Sequence, residues 1–426
     1  MYKRQISKTI LSGFDSNEVV FLLGTRQTGK TTLSHLLAQE SDYNKNETWY
    51  FDFEDKHYRN MFNDVSVAII GQILAVEGID VNKKNLVIFD EIQLLDDPSN
   101  LLKLLHDHFP QLKIIATGSS SLQIQSKFSD SLAGRKKVYL IEPLNFDEFL
   151  LFKGEDKLLN LRNMIVESGF TEDNSQLLQS YHQQFLRIFE EYLIYGGYPE
   201  VVLSSNSELK IEKLDSIARS YIQKDIREIA NIENLNAYNK LLEYLAVNAG
   251  CQFKLTSAQL AVGIAAKTLG KYLNILQETF IVDELRPFFT NKNKELSKTT
   301  KIYFKDTGIN NLMMRNFNPL SLRRDAGAIY ETYVFNTLKF NPKVTSGLFF
   351  YRTQSKSEID FIHVNNTKFS LYEVKSGKSN KIPRTMIEFE KKYKDKVDIK
   401  SQYVINQSVY QQKGSVCFLP AYLLSK

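Results

Sequence analysis

The chain contains the octapeptide Gly24-Thr25-Arg26-Gln27-Thr28-Gly29-Lys30-Thr31, which directly follows the apolar run Val19–Leu23. Its spacing, G-x-x-x-x-G-K-[ST], is that of a loop whose backbone N–H groups surround a phosphate. The two glycines let the backbone turn tightly, Lys30 reaches the β- and γ-phosphates, and the Thr31 hydroxyl ligates Mg²⁺. A helix that opens at Thr31 adds the positive end of its dipole. We therefore predict that this loop, with Thr32 after it, binds a nucleotide.

A second apolar run ends in two acids. Residues 85–89 read Asn-Leu-Val-Ile-Phe and are followed by Asp90 and Glu91. Consecutive apolar residues are typical of a fully buried strand in a parallel sheet. Asp90 is then the expected Mg²⁺ partner across from Thr31, and Glu91 is placed to orient or deprotonate the attacking water. Acids after a strand also serve as helix caps, but the phosphate loop favours the catalytic interpretation.

Three further β-prone runs, at 48–53, 112–117 and 138–141, alternate with helical stretches. This alternation predicts a P-loop NTPase fold, a three-layer α/β structure around a parallel sheet with ligands at the C-terminal ends of its strands. If the run 112–117 lies next to the P-loop strand, Thr117 or Ser119 is expected beside the γ-phosphate. A serine after a strand is also an ordinary N-cap.

Arg135 ends the segment Leu132-Ala133-Gly134-Arg135, between the last two of these strands. An arginine near the nucleotide edge can neutralise γ-phosphate charge in the transition state, either in cis or from a neighbouring copy. The basic run 135–137 is equally compatible with a surface arginine.

The motifs G-T-R-Q-T-G-K-T, F-D-E-I-Q, T-G-S-S-S and L-A-G-R resemble those of an AAA-type ATPase subfamily. Its members are prokaryotic proteins that join this ATPase to a C-terminal domain of unknown function. The resemblance implies that strand 112–117 is inserted between the P-loop strand and the Asp90 strand. It also implies a sensor role near Ser119 and makes Arg135 a candidate arginine finger.

Length and composition indicate an ordinary globular protein of two to four domains. The chain has 426 residues and a formal net charge of +5. This mild positive charge is compatible with nucleic-acid binding but does not indicate it. Its two cysteines, Cys251 and Cys417, match no zinc or redox spacing, which fits a reducing cytosol. The N-terminal apolar run is too short for a signal peptide, and no run approaches 18 apolar residues. We therefore expect a cytoplasmic protein that does not enter the membrane.

We divide the chain into four predicted domains: an AAA-type ATPase at 1–155, a helical linker or lid at 156–235, a winged helix at 236–320 and a nuclease-like domain at 321–426. Within the linker, Gly196-Gly197-Tyr198-Pro199 predicts a turn between two helices. The resembled family carries a similar turn, so we interpret it as a structural joint.

Residues 236–320 predict three helices followed by a β-hairpin, which is the layout of a winged helix. The third helix would enter a DNA groove through Lys267, Lys271 and Tyr272, with Lys292 and Lys294 at the hairpin tip. Because this basic surface is thin for a DNA reader, docking of a protein partner remains an open alternative.

The C-terminal region predicts a helix that carries Glu331, then strands that place Asp360 on the second and Glu373-Val374-Lys375 at the end of the third. Residues two apart on a strand share a face, so Glu373 and Lys375 point the same way. This order matches the metal-and-lysine set of the PD-(D/E)XK nuclease fold, in which carboxylates hold Mg²⁺ while the lysine helps to activate water. The resembled family also has a nuclease-like C-terminal domain. An exposed E-x-K pair without catalysis is the alternative interpretation.

These patterns favour a protein that binds ATP and hydrolyses it with Mg²⁺ to rearrange its winged-helix and nuclease-like domains. One alternative is a DNA nuclease gated by ATP. Another is a regulatory or binding module that nucleotide locks in one conformation without turnover. ATP is the expected ligand, and DNA, a protein client or further copies of the chain are the candidate partners.

Overall fold

The computed structural model describes residues 2–119, 132–221, 234–289, 295, 299–339, 346–394 and 396–425. Its contacts divide the chain into two compact units. The first comprises Met1–Glu142, Arg219–Asn231 and Glu278–Phe280, and the second comprises Pro143–Ala218, Ile232–Gln277 and Ile281–Lys426. The first unit therefore ends its main segment at residue 142, which is earlier than the boundary at 155 that the sequence predicted.

The first unit is built on a sheet of parallel strands in the order β2-β3-β4-β1-β5. The strands are β1 (Val19–Leu23), β2 (Thr48–Asp52), β3 (Asn85–Asp90), β4 (Leu112–Gly118) and β5 (Lys136–Leu140). The helices are α1 (Ile6–Leu11), α2 (Lys30–Glu40), α3 (Lys56–Phe62), α4 (Val67–Val76) and α5 (Pro98–His108).

The two faces of this sheet carry separate hydrophobic cores. On one face Val20 and Leu22 pack with Leu33 and Leu37 of α2. On the other, alternate residues such as Phe21 pack with α4 and α5. Because successive side chains of a strand point to opposite faces, a strand that is buried along its whole length must be covered on both sides. The predicted three-layer α/β architecture is confirmed.

Strand β4 lies between β1 and β3, as the family resemblance implied. Phe21 of β1 is in register with Ala116 of β4, and Phe89 of β3 is in register with the same residue. The carboxyl ends of these three parallel strands consequently meet at one edge of the sheet, where ligands bind in open α/β folds.

The second unit begins with helices. Between residues 143 and 221 lie α6 (Phe146–Phe152), α7 (Asp156–Ser168), α8 (Glu172–Tyr195), α9 (Pro199–Val202) and α10 (Ser207–Tyr221), whose last three residues belong to the first unit. The three helices predicted after residue 236 are α11 (Leu235–Val247), α12 (Leu255–Val262) and α13 (Ala266–Glu278). Later in the chain come α14 (Thr307–Met314), α15 (Ala326–Lys339) and α16 (Arg384–Tyr393). None of the described helices is both long and apolar enough to cross a bilayer.

The strands of the second unit form one mixed sheet in the order β12-β13-β11-β10-β9-β8-β6-β7. They are β6 (Val282–Pro287), β7 (Lys301–Phe304), β8 (Ser346–Arg352), β9 (Glu358–Asn365), β10 (Lys368–Val374), β11 (Asp398–Asn406), β12 (Gln411–Lys413) and β13 (Val416–Pro420). The predicted hairpin is present as the antiparallel pair β6–β7.

The hairpin is part of the C-terminal sheet. Strand β6 pairs in parallel with β8, with Arg286 opposite Phe349 and Pro287 opposite Phe350. The predicted linker and the predicted nuclease-like domain also share one hydrophobic core, since Phe185 of α8 stacks on Tyr422 with ring centroids 4.7 Å apart. The predicted boundaries at 235 and 320 therefore do not separate independent domains, because hydrogen bonds and packing cross both.

The Gly196-Gly197 turn is a structural joint within the second unit. The Asp306 carboxylate accepts the N–H of Gly197 at 2.7 Å and caps α14 by accepting the N–H of Ile309 at 3.0 Å. Burial raises the pKa of Asp306 to about 6. A Cβ at position 197 would lie 2.2 Å from the carbonyl oxygen of Leu144, so only glycine fits there.

We expect Gly197→Ala to destabilise the second unit by about 3 kcal/mol, as overpacking against immobile backbone does. The matched control is Gly270→Ala in α13, where a Cβ meets no atom within 4 Å; alanine there should stabilise the helix by about 0.5–1 kcal/mol. Urea unfolding followed by far-UV circular dichroism checks both. Equal midpoints for the two variants would show that the turn is not constrained.

Candidate functional site

The phosphate loop joins β1 to α2 and closes on its own lysine. The Lys30 ammonium donates to the carbonyl oxygens of Gly24 at 3.0 Å and Thr25 at 2.9 Å. Gly29 has a φ of 87° and makes the left-handed turn into the helix, which begins at Lys30. Gly24 is needed for a different reason, because a Cβ there would lie 2.2 Å from the carbonyl oxygen of Ile141. From the sequence, both glycines were predicted to let the backbone turn tightly.

The other loop residues differ in exposure. Thr25 and Thr28 are buried, Arg26 is half-buried, and Gln27 and Thr32 are exposed. No sequence pattern indicated Arg4, which donates to the carbonyl oxygens of Thr28 at 3.0 Å and Glu142 at 2.8 Å. This buried arginine ties the N-terminus to the loop.

The Asp90 carboxylate at the end of β3 accepts hydrogen bonds from hydroxyls on three elements. Thr31 donates to Oδ2 at 2.7 Å, Tyr50 donates to the same oxygen at 2.6 Å, and Thr117 donates to Oδ1. Burial, with the neighbouring Asp90, raises the pKa of Tyr50. A threonine hydroxyl beside a carboxylate is a pair of hard oxygen donors, which fits Mg²⁺. Thr117, a candidate for the γ-phosphate, points to Asp90 instead.

Glu91 follows with a φ of 52°, a left-handed conformation that is uncommon for a residue other than glycine. Its N–H donates to the Thr117 hydroxyl at 3.1 Å, and its Oε2 lies 4.0 Å from Arg26. A cavity of about 230 Å³ opens beside it, lined by Arg26, Gln27, Glu54, Glu91 and Ser220. The side chain therefore borders both the loop and open space.

Ser119 and Glu91 are joined by Gln93, which is not among the residues predicted from the sequence. The Gln93 amide donates to the Ser119 hydroxyl at 2.9 Å and also to Glu91 Oε2. The signal was present in the motif F-D-E-I-Q, where the glutamine stands two residues after Glu91. Ser120 and Ser121 of the T-G-S-S-S motif lie outside the described residues.

Arg135 lies at the opposite end of the sheet from the phosphate loop. Its carbonyl oxygen accepts the N–H of Val19 at the start of β1, whereas the loop follows the end of that strand, about 13 Å farther along. Its guanidinium donates to Asp107 at 2.8 Å and holds the pKa of that carboxyl at about 2. The hypothesis that Arg135 acts on a nucleotide in the same chain is therefore wrong, while a role in trans stays a prediction.

The acids predicted in the C-terminal region come together at the junction of α15, β9 and β10. Asp360 accepts the N–H of Val374 at 2.7 Å, and Lys375 donates to Glu373 at 2.7 Å. Burial, with the charge of Glu331, raises the pKa of Asp360 to about 7. Burial, with the charge of Asp360, raises the pKa of Glu373 to about 7.

Lys301 of the hairpin also enters this cluster, and nothing in the sequence pattern indicated it. Its ammonium lies 3.5 Å from Glu331 and also contacts Glu358. Nowhere in the described part of the chain do three or more His, Cys, Asp or Glu side chains form a group that could hold a metal ion.

The proposed DNA-reading helix, α13, exposes only part of the predicted surface. Lys267 and Lys271 are exposed, but Tyr272 is buried and packs edge-on against Tyr238, with ring centroids 5.6 Å apart. The prediction that Tyr272 contacts DNA is wrong, because it lies on the apolar face of the helix. Lys292 and Lys294 lie outside the described residues.

The chain is similar in sequence to known families and proteins. The family described as AAA domain matches residues 16–150, and two domains of unknown function, DUF8612 and DUF4143, match residues 186–320 and 326–424. An uncharacterized protein of Methanocaldococcus jannaschii is 27% identical over 387 residues, which span 89% of this chain and 79% of that relative. One from Mycobacterium tuberculosis is 24% identical over 377 residues, spanning 86% of this chain and 72% of the relative.

Among solved structures, the Walker-type ATPase PABY2304 of Pyrococcus abyssi aligns with a TM-score of 0.46 and 17% identity, covering 74% of this chain and 96% of that one. The motifs, the strand order and the family match at residues 16–150 all indicate that the first unit is an AAA-type P-loop domain. The chain thus joins an AAA-type P-loop domain to a C-terminal domain of unknown function, as in the prokaryotic proteins that its sequence resembles.

Proposed function

We propose that the first unit binds ATP together with Mg²⁺ and hydrolyses it. The observation that carries the proposal is the contact of Thr31 with Asp90 at 2.7 Å, directly after the loop that holds Lys30. Two oxygen donors suited to Mg²⁺ thereby stand at the start of a helix whose N–H groups and dipole favour phosphate.

Lys30 is the second element of the proposal. The carbonyl oxygens of Gly24 and Thr25 hold its ammonium across the loop. Charged phosphate oxygens are stronger acceptors than neutral carbonyls, so the β- and γ-phosphates can replace these partners. The bound Mg²⁺ would neutralise negative charge on the same phosphates.

Glu91 is proposed to orient and deprotonate the attacking water. It borders the cavity beside the loop, and Gln93 holds its Oε2. Because Gln93 also binds Ser119, the serine acts on the reaction through the glutamine and is a positioning residue. A polar group at the end of β4 is thereby coupled to the acid at the end of β3.

The hydrolysis is proposed to drive rearrangement of the second unit, with DNA as a candidate partner through Lys267 and Lys271, or with a protein client in its place. An arginine supplied by another copy, Arg135 among the candidates, would require an oligomer. Dependence of turnover on protein concentration tests the oligomer.

The cysteines bear on location. Cys251 and Cys417 are both free thiols, which supports a cytoplasmic location.

Lys30→Ala is expected to abolish ATP binding, and Glu91→Gln is expected to bind ATP with turnover reduced about 10²–10⁴-fold, the range for loss of a general base. Phosphate release with Mg²⁺, measured with and without DNA, and equilibrium ATP binding check both variants. Lys83→Ala is the matched control, because Lys83 pairs with Asp80 at the surface. Wild-type protein that binds ATP without turnover would indicate the nucleotide-locked module.

Gln93→Met is expected to lower kcat about tenfold, equivalent to about 1.4 kcal/mol of barrier, while the Kd for ATP stays unchanged. Methionine keeps the length of the side chain and removes the hydrogen bonds to Glu91 and Ser119. Ser119→Ala should give a smaller loss in the same direction, because Glu91 keeps its contact with Gln93. If Gln93→Met weakens ATP binding with kcat intact, the glutamine supports the loop and not the water.

A further inference from the structure

The acidic cluster of the C-terminal sheet surrounds a buried lysine. Lys301 is the first residue of β7, and its side chain is only 3% exposed. Its ammonium contacts Glu331 of α15 at 3.5 Å and also Glu358 at the start of β9. It lies 5.4 Å from the centroid of the Phe350 ring on β8. Strand β7 of the hairpin thus places a cation between carboxylates of α15 and β9.

The remaining acids of the cluster have partners of their own. Arg352 donates to Glu358 at 2.8 Å, and Lys375 donates to Glu373 at 2.7 Å. Asp360 accepts a backbone N–H. Four carboxyl groups therefore face three basic side chains, and the charge of the cluster is largely balanced by the chain itself.

One side of the cluster is also closed by backbone. A Cβ at Gly250 would lie 3.0 Å from Glu331 Oε2, so this glycine covers the acid. The Tyr303 hydroxyl donates to the same oxygen at 3.1 Å. Lys301, Tyr303 and Gly250 therefore cover one side of Glu331, whose side chain is 23% exposed, and a phosphodiester cannot approach it from that side.

A divalent metal does not fit this arrangement. Mg²⁺ requires near-octahedral oxygen ligands at short distance, whereas an ammonium already occupies the space between Glu331 and Glu358 and repels a second cation. We propose that Lys301 is the permanent internal cation of this cluster and takes the position that a metal has in a nuclease of related fold. The C-terminal fold then serves as a scaffold and not as a phosphodiester-cleaving centre.

One carboxylate oxygen of the cluster is available to a metal ion. Glu373 is 7% exposed, and within the described residues its buried Oε2 has no hydrogen-bond partner. An unsatisfied buried carboxylate oxygen is a ready ligand for a hard cation once the competing charge is removed. Removing the lysine charge should therefore create a metal site that wild-type protein lacks.

The test is a titration of full-length protein with Mn²⁺ in the absence of nucleotide, followed by electron paramagnetic resonance of the free ion. Lys301→Met is expected to bind Mn²⁺ at least about tenfold more tightly than wild type. Adding Asp360→Asn should abolish the gain, which assigns it to this cluster. Lys301→Arg keeps the charge and should behave as wild type. Lys301→Met that folds and gains no affinity would overturn the proposal.

Removing one partner of a buried ion pair is strongly destabilising. If Lys301→Met does not fold for this reason, measurements on wild-type protein test the proposal. Wild type and Asp360→Asn are expected to bind Mn²⁺ equally and to leave supercoiled plasmid DNA uncut in its presence. Wild-type binding or cleavage that Asp360→Asn loses would establish a metal centre and refute the internal-cation role. Neither outcome depends on ATP hydrolysis, so this proposal and the proposed function fail separately.

Discussion

The carboxylate of Asp90 is the contact on which the first unit depends. It receives hydroxyl groups from the start of α2, from β2 and from β4, through Thr31, Tyr50 and Thr117. These elements can reach one side chain because β1, β2, β3 and β4 are parallel and neighbouring strands, which puts their carboxyl ends at the same edge. A buried carboxylate is costly unless it is hydrogen-bonded, so this network fixes the geometry of the edge where the phosphate loop lies.

Two buried lysines of the chain, Lys30 and Lys301, carry the same charge but have different kinds of partner. Lys30 is held by neutral carbonyl oxygens in a loop shaped for an anion. Lys301 is held by carboxylates, and its charge is already compensated. Burial raises the pKa of Glu331 and of Asp360, and Lys301 opposes that rise in both. The ammonium in the loop can donate to a phosphate in place of neutral carbonyls, whereas one that stabilises neighbouring acids cannot leave them without cost.

Sequence alone was sufficient for the phosphate loop, the acids at 90 and 91 and the three-layer sheet, because short motifs and apolar periodicity carry that information. It could not reveal Tyr50 or Lys301, since each meets its partners only through the pairing of distant strands. Arg135 was misplaced because the register of β5 against β1, with Lys136 opposite Val19, puts it at the far end of the sheet. Tyr272 was assigned to DNA although its spacing from Leu269 and Leu276, three residues after one and four before the other, already placed it on the apolar face of the helix.

The parallel pairing of β6 with β8 limits where the C-terminal region can be cut from the rest of the chain. The match to the domain of unknown function begins at residue 326, after both hairpin strands. A fragment cut there would lose the two strands beyond β8 and expose its row of unpaired N–H and C=O groups, a template for aggregation. Family matches and folding units therefore have different borders in this chain, and exchange of the C-terminal region between relatives must carry residues 282–304 with it.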